Sequence, residues 1–221
     1  NLIFNRHLDL AEAELNSVLE GKRVEDSLRK YQRPDSERHL ADDISTKTVD
    51  SLLKAVTDKF DISQRYYALK AKLLKIGSLS YAEKSIPYES VELKYPFKKS
   101  ADLVLTTLKG IDKEFGDVAQ SMFEKGQIDV FPVKGKEDGG FCIGFSHKAP
   151  TFILLNHTNK INDVKTMAHE LGHGLHSYYS KKNNHSLNFD THFSTAEVAS
   201  TFMEDFVFQK LIKEVDDEQK L

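Results

Sequence analysis

The segment Thr166–Ser180, TMAHELGHGLHSYYS, constrains this chain more than any other. It holds three of the nine histidines, at positions 169, 173 and 176, among apolar residues at helical spacing. Four residues along an α-helix rise about 6 Å and turn about 40° past a full revolution, so His169 and His173 project from one face on adjacent turns. Two imidazoles so placed can close on one ion at the ~2.0–2.1 Å of a zinc–nitrogen bond. Glu170 can reach a water on that ion without being a ligand. His169-Glu170-Leu171-Gly172-His173 is therefore an HExxH pattern on a helix, and it points to Zn2+ as cofactor. His176 stands about 10.5 Å of helical rise from His169, too far for both to hold one ion. Position 179, where a metzincin would carry its third histidine, is Tyr. His176 accordingly reads as a supporting or packing residue.

Gly172 and Gly174 each cost a helix interior ~1 kcal/mol relative to Ala. Two readings stand: close packing by another helix, or a bare face that lets a backbone or a substrate approach the metal. A catalytic zinc site takes three protein ligands and keeps one position for water. The third must come from elsewhere, and Glu197, in a helical stretch beginning near Ser194, is the candidate. A rival reading makes Ser194-Thr195-Ala196-Glu197 a capping box in which Glu197 binds only its own helix start. Glu204, two turns on, shares that face and could orient His169 or His173 through the second ring nitrogen. His157, His185 and His192 read as solvated loop residues, with His192 close enough to Glu197 in sequence to line a pocket.

Composition excludes other classes. Charged residues are 29% of the chain and the net charge is −3, so no bulk field points to nucleic acid or an anionic membrane. No apolar run approaches the ~20 residues of a membrane span. The single cysteine, Cys142, excludes an internal disulfide, reads as packing, and fits a reducing, cytoplasmic setting. The chain opens without Met in mid-pattern and stops in a charged helical run, LIKEVDDEQKL, so it reads as a piece of a longer one.

Helical stripes dominate. Leu8, Leu15, Val18 and Leu19 form the first, and the polar run 21–40 reads as a turn between helices. Val49, Leu52, Leu53, Val56 and Phe60 follow, then Ile62, Tyr66, Leu69 and Leu73. Residues 77–99, with Pro87 and Pro96, read as irregular and as a boundary. Ser100 and Asp102 offer a cap and a first-turn acid to a helix whose buried face is Val104, Leu108, Ile111, Phe115, Val118 and Met122. The texture then shifts to short β-branched and aromatic runs: 128–133, 139–145 and 151–156. These predict a small antiparallel sheet of hairpin-linked strands beside the histidine helix, which Asn162 and Asp163 would cap. The expected organisation is a helical part over 1–99 and a zinc-binding core over 100–221.

The block GFSHKAPTFILLNHTNKINDVKTMAHELGHGLHSYYS followed by FSTAEVASTFMED resembles the catalytic core of oligoendopeptidase F, in the thimet oligopeptidase family of zinc peptidases. The likeness reaches back through residues 101–142 and more loosely into the earlier helices. It implies a mainly α, neurolysin-like fold and zinc held by His169, His173 and Glu197. It also implies Glu170 as general base and acid, and short peptides as substrates. FILLN resembles the edge strand along which such peptidases lay the substrate backbone. Family members carry a later helical segment whose tyrosine and histidine residues stabilise the oxyanion; this chain ends at Leu221, ahead of it. Two alternatives remain at this stage. One is a helical HExGH metallocarboxypeptidase, and the other is an inactive zinc-binding fragment of a larger protein.

Overall fold

The computed structural model describes residues 5–84, 86 and 94–214. It is mainly helical and divides into two compact units, Asn1–Ser63 and Gln64–Leu221.

The first unit holds α1 (Leu8–Arg29), α2 (Ser36–Ala41), α3 (Thr46–Thr57) and the start of α4 (Phe60–Leu73). Helix α1 continues through Gly21–Arg29, where the sequence suggests a turn. Side-chain pairs one turn apart carry it across: Lys22 with Asp26, Arg23 with Glu20 and Arg29 with Glu25. The turn proper begins at Lys30, whose φ of 59° ends the helix. Ser45 caps α3 by accepting from the Thr48 N–H at 3.1 Å.

The second unit contains α5 (Phe97–Ile111), α6 (Lys113–Glu124), α7 (Ile161–Asn183), the short α8 (Phe193–Ala196) and α9 (Val198–Glu214). The single stripe Val104–Met122 is broken at Asp112, whose extended backbone ends α5 and whose carboxylate accepts from Glu114 N–H to start α6. The helix begins at Phe97 after Pro96, so Ser100 is not its cap. Instead Ser100 is buried, donating to the Tyr95 carbonyl at 3.0 Å. The span 74–96 contributes, among its described residues, only the 3₁₀ turn Tyr81–Glu83, and part of the predicted irregular run lies outside the described residues.

The sheet is small and mixed. Its order is β1 (Ile128–Asp129), β3 (Thr151–Leu154), β2 (Phe141–Gly144), with β2 antiparallel to β3 and β1 parallel to it. Only the β2–β3 hairpin matches the antiparallel expectation. The 128–133 run is too short in strand conformation to turn back on β2, and it pairs with β3's far side instead, Leu155 N–H donating to Asp129 O at 2.7 Å. The FILLN strand is thus central and β2 is an edge.

Helix α7 is the hub, packed against α5, α6, α9 and the sheet. Its Val164, Met167, Ala168 and Leu171 are fully buried, and each large side chain among them contributes ~1.5–3 kcal/mol of transfer free energy. The Asp163 carboxylate ties the loop before it by accepting from Thr158 N–H at 2.6 Å and Lys160 N–H at 2.9 Å. Lys160, not Asn162, is therefore the cap.

Candidate metal centre

Two glycines determine what can approach the histidine helix. A Cβ on Gly172 would sit 2.6 Å from Ser200 Cα and 2.7 Å from the Ala199 carbonyl oxygen, so only glycine lets α9 cross there. A Cβ on Gly174 would meet Met122 at 2.9 Å. Both serve close packing, and the packing at Gly172 brings the start of α9 onto the histidine face.

There Glu197 Oε2 lies 3.3 Å from His169 Nε2 and 3.3 Å from His173 Nε2. All three atoms fall within 4.8 Å of one another, and the two rings stand edge to face at 4.9 Å. The turn Phe193–Ala196 takes His192 as its N-cap, and Glu197 ends it. The Glu197 carboxylate faces the histidines, and Ser200 Oγ donates to it at 2.7 Å. That hydrogen bond, helped by the two imidazoles, holds the Glu197 carboxyl below the usual carboxylate range.

His169 Nδ1 meets Glu204 Oε2 at 3.2 Å. An ionised carboxylate only accepts, so Nδ1 is the donor of that contact, and Nε2 is the ring nitrogen turned toward Glu197. Nε2 and the anionic Glu197 oxygen are 3.3 Å apart, a contact that a ring proton or a metal ion between them would satisfy. A tetrahedral ion with ligands at ~2.0–2.1 Å has ligand–ligand edges of about 3.3–3.4 Å. The two observed contacts match that edge, and the His/His/Glu donor set suits zinc. Burial lowers the His173 pKa, which favours its unprotonated, ligating form.

Glu170 points to the neighbouring side. Burial, with Glu197 adding to it against the opposing pull of His169, pushes its carboxyl up to about 6. Gly140 passes close over it: a Cβ there would lie 3.2 Å from Glu170 Oε1. These groups line a cleft of about 450 Å³ whose other walls include β2, His176, Ser177 and the 189–191 loop. His176 therefore faces the cleft rather than the core, yet stands outside the three-residue cluster. Cys142, its thiol pushed up to about 12 chiefly by burial, is no nucleophile at neutral pH.

The remaining sequence candidates separate. His185 and His192 are exposed as expected. His157 is not: it is 3% exposed, accepts from Asn159 N–H on Nδ1 and contacts Ser100 Oγ through Nε2 at 3.0 Å. Its burial depends on a residue 57 positions earlier, which local sequence cannot reveal. Tyr178 and Tyr179 turn away toward Glu114, and among the described residues no tyrosine lines the cleft. Ser200 and Gly140 also shape the site, and neither stands out in the sequence. Ser200's signal is its place three residues after Glu197, one turn into the helix that follows it; Gly140's, a glycine just ahead of a strand, is too general.

Residues 99–221 match the model of Peptidase family M3. Oligopeptidase PepF of Bacillus subtilis (strain 168) is 27% identical over 194 residues, covering 87% of this chain and 29% of its own length. The oligoendopeptidase F homolog of Lactococcus lactis subsp. lactis (strain IL1403) is 29% identical over 177 residues, 80% of this chain and 29% of its own. A crystal structure described as a peptidase from Chlamydophila abortus superposes with TM-score 0.78 at 25% identity, over 93% of this chain and 34% of that one. PZ peptidase A, solved with an inhibitor, gives TM-score 0.78 at 17% identity, which speaks for the fold alone. The chain spans about a third of the length of these relatives. With its family motif matched over more than half its residues and its helical fold shared, the chain belongs to peptidase family M3.

Proposed function

We propose that this chain carries the metal centre of a zinc metalloendopeptidase that hydrolyses internal bonds of short oligopeptides. The convergence of His169 Nε2, His173 Nε2 and Glu197 Oε2 carries this reading. Those three residues would hold zinc, and Glu204 would fix His169 through Nδ1. When bound, zinc supplies a Lewis acid that polarises the scissile carbonyl and brings the pKa of water toward ~7. Glu170, with its carboxyl near 6, is ionised at neutral pH yet more basic than an ordinary carboxylate. It takes the proton of the attacking water and passes it to the leaving amine. The edge strand β2 borders the cleft and offers backbone groups to an extended peptide. On this reading the zinc-binding core spans 100–221 and follows, in sequence, a helical part over 1–99, and the setting is cytoplasmic, in keeping with a single half-buried cysteine. Among the described residues no helix is long and apolar enough to cross a membrane.

The test uses the full-length protein. One zinc per chain and cleavage of a quenched fluorescent peptide, lost with a chelator and restored by zinc, are expected. Glu170→Gln should keep the metal and lose turnover; loss of zinc in that variant would overturn the base assignment. The acid limb of kcat/KM should fall at or below pH 6, because burial raises the Glu170 carboxyl to about 6 and a bound dication would draw it back down. Trimming of single C-terminal residues in place of internal cleavage would favour a carboxypeptidase.

A further inference from the structure

We propose that Lys165 is a positioning residue of this centre, holding one oxygen of Glu204 so that the other remains on His169. The proposal rests on the zinc reading above. Lys165 lies one turn before His169 on α7, and its Nζ is 3.1 Å from Glu204 Oε1. The second oxygen, Oε2, is 3.2 Å from His169 Nδ1. Each carboxylate oxygen therefore has its own partner, and both partners sit on the same helix while Glu204 comes from α9. Lys165 is in turn seated over Phe208, one turn beyond Glu204, with Nζ 5.3 Å from the ring centroid.

A glutamate held at one oxygen can swing about its three side-chain bonds. Released on the lysine side, Glu204 would tilt off the imidazole plane or compete with Glu197 for the metal. Held at both oxygens, it fixes the ring that presents Nε2. Lys165 and Glu204 are both about one-third exposed, 35% and 30%, so the pair contributes little to global stability. Its value lies in geometry.

Geometry and charge make opposite predictions here. Lys165 is a cation near a site for a dication, so removing it should tighten zinc binding if only electrostatics matter. If Lys165 positions Glu204, removing it should weaken binding instead. In the full-length protein, zinc affinity is measured by competition with a chelator for wild type, Lys165→Met and Lys165→Arg. Cobalt(II) spectra of the same proteins report ligand geometry. Lys165→Met should raise the zinc Kd about 3–10-fold, below the 10–100-fold typical of a histidine's direct hydrogen-bond partner, and shift the cobalt bands. Lys165→Arg, which keeps a donor for the carboxylate, should restore both. Melting temperatures of the metal-free proteins should agree. A Lys165→Met protein that binds zinc as wild type does or more tightly, with an unchanged cobalt spectrum, overturns the proposal. Wild-type protein that binds no zinc overturns the metal reading itself, a separate and recognisable failure.

Discussion

Helices α3 and α5 carry apolar stripes of the same period and meet opposite fates. In α3, Leu52, Leu53 and Val56 are 63%, 55% and 50% exposed. In α5, Val104 and Leu108 are wholly buried against the hub helix and its neighbours. Period decides which face of a helix is apolar; what covers that face is a tertiary fact. The first unit is held by local devices: the Ser45 cap, ion pairs one turn apart, and Arg33 bridging Asp35 and Asp50. The second is held by a shared core, and the candidate site sits there, where backbone positions are fixed on several sides. Contiguous apolar faces like that of α3 ordinarily mark contact surfaces.

The sharpest contrast is a paired truncation. Leu108→Ala should cost ~2–5 kcal/mol in chemical denaturation, because it opens a cavity in a closed core. Leu52→Ala should stay within about 0.5 kcal/mol. A large loss at Leu52 in the full-length protein would break the comparison by showing that its face is covered there.

Next in size is Gly172→Leu. The Cβ alone would stand 2.6 Å from the α9 backbone, so α9 must move, at the upper end of the ~1–3 kcal/mol usual for overpacking. Glu197 and Glu204 move with it, and zinc affinity should collapse. Retained zinc would separate the packing from the site.

A smaller effect depends on pH. Burial lowers the His157 pKa, so the unfolded chain binds a proton more readily than the folded one. Its contribution to stability is therefore full above the ordinary imidazole value of ~6.5 and declines as pH falls below it toward the folded pKa. His157→Gln should flatten that part of the stability–pH curve; an unchanged slope would contradict the buried, neutral assignment. Smallest is Gly21→Ala in α1, where no atom lies within 4 Å of the new Cβ. It should stabilise by up to ~1 kcal/mol through helix propensity alone.

What the sequence could disclose follows the range of the interaction involved. The helix bearing His169 and His173 was legible because four-residue spacing acts within one helix. The α1 helix through Gly21–Arg29 was misread because its polar run hides ion pairs that support the helix. The break at Asp112 was missed because apolar spacing stays in phase across it. The parallel pairing of β1 was hidden for a different reason: strand composition says nothing about which neighbour a strand finds. His157 was misplaced because Ser100 lies far off in sequence. For Glu197, sequence left two readings. The turn starting at His192 and the carboxylate's distance to both histidines favour the metal-facing one.

That last point is the centre of the account, and one measurement addresses it most directly: the zinc Kd of Glu197→Gln against wild type, by chelator competition in the full-length protein. The change keeps size and helix position while replacing an anionic oxygen by a neutral amide. A third ligand predicts a loss greater than the ~10–100-fold seen for partners that touch only the ligands. Zinc bound by Glu197→Gln as tightly as by wild type would contradict it.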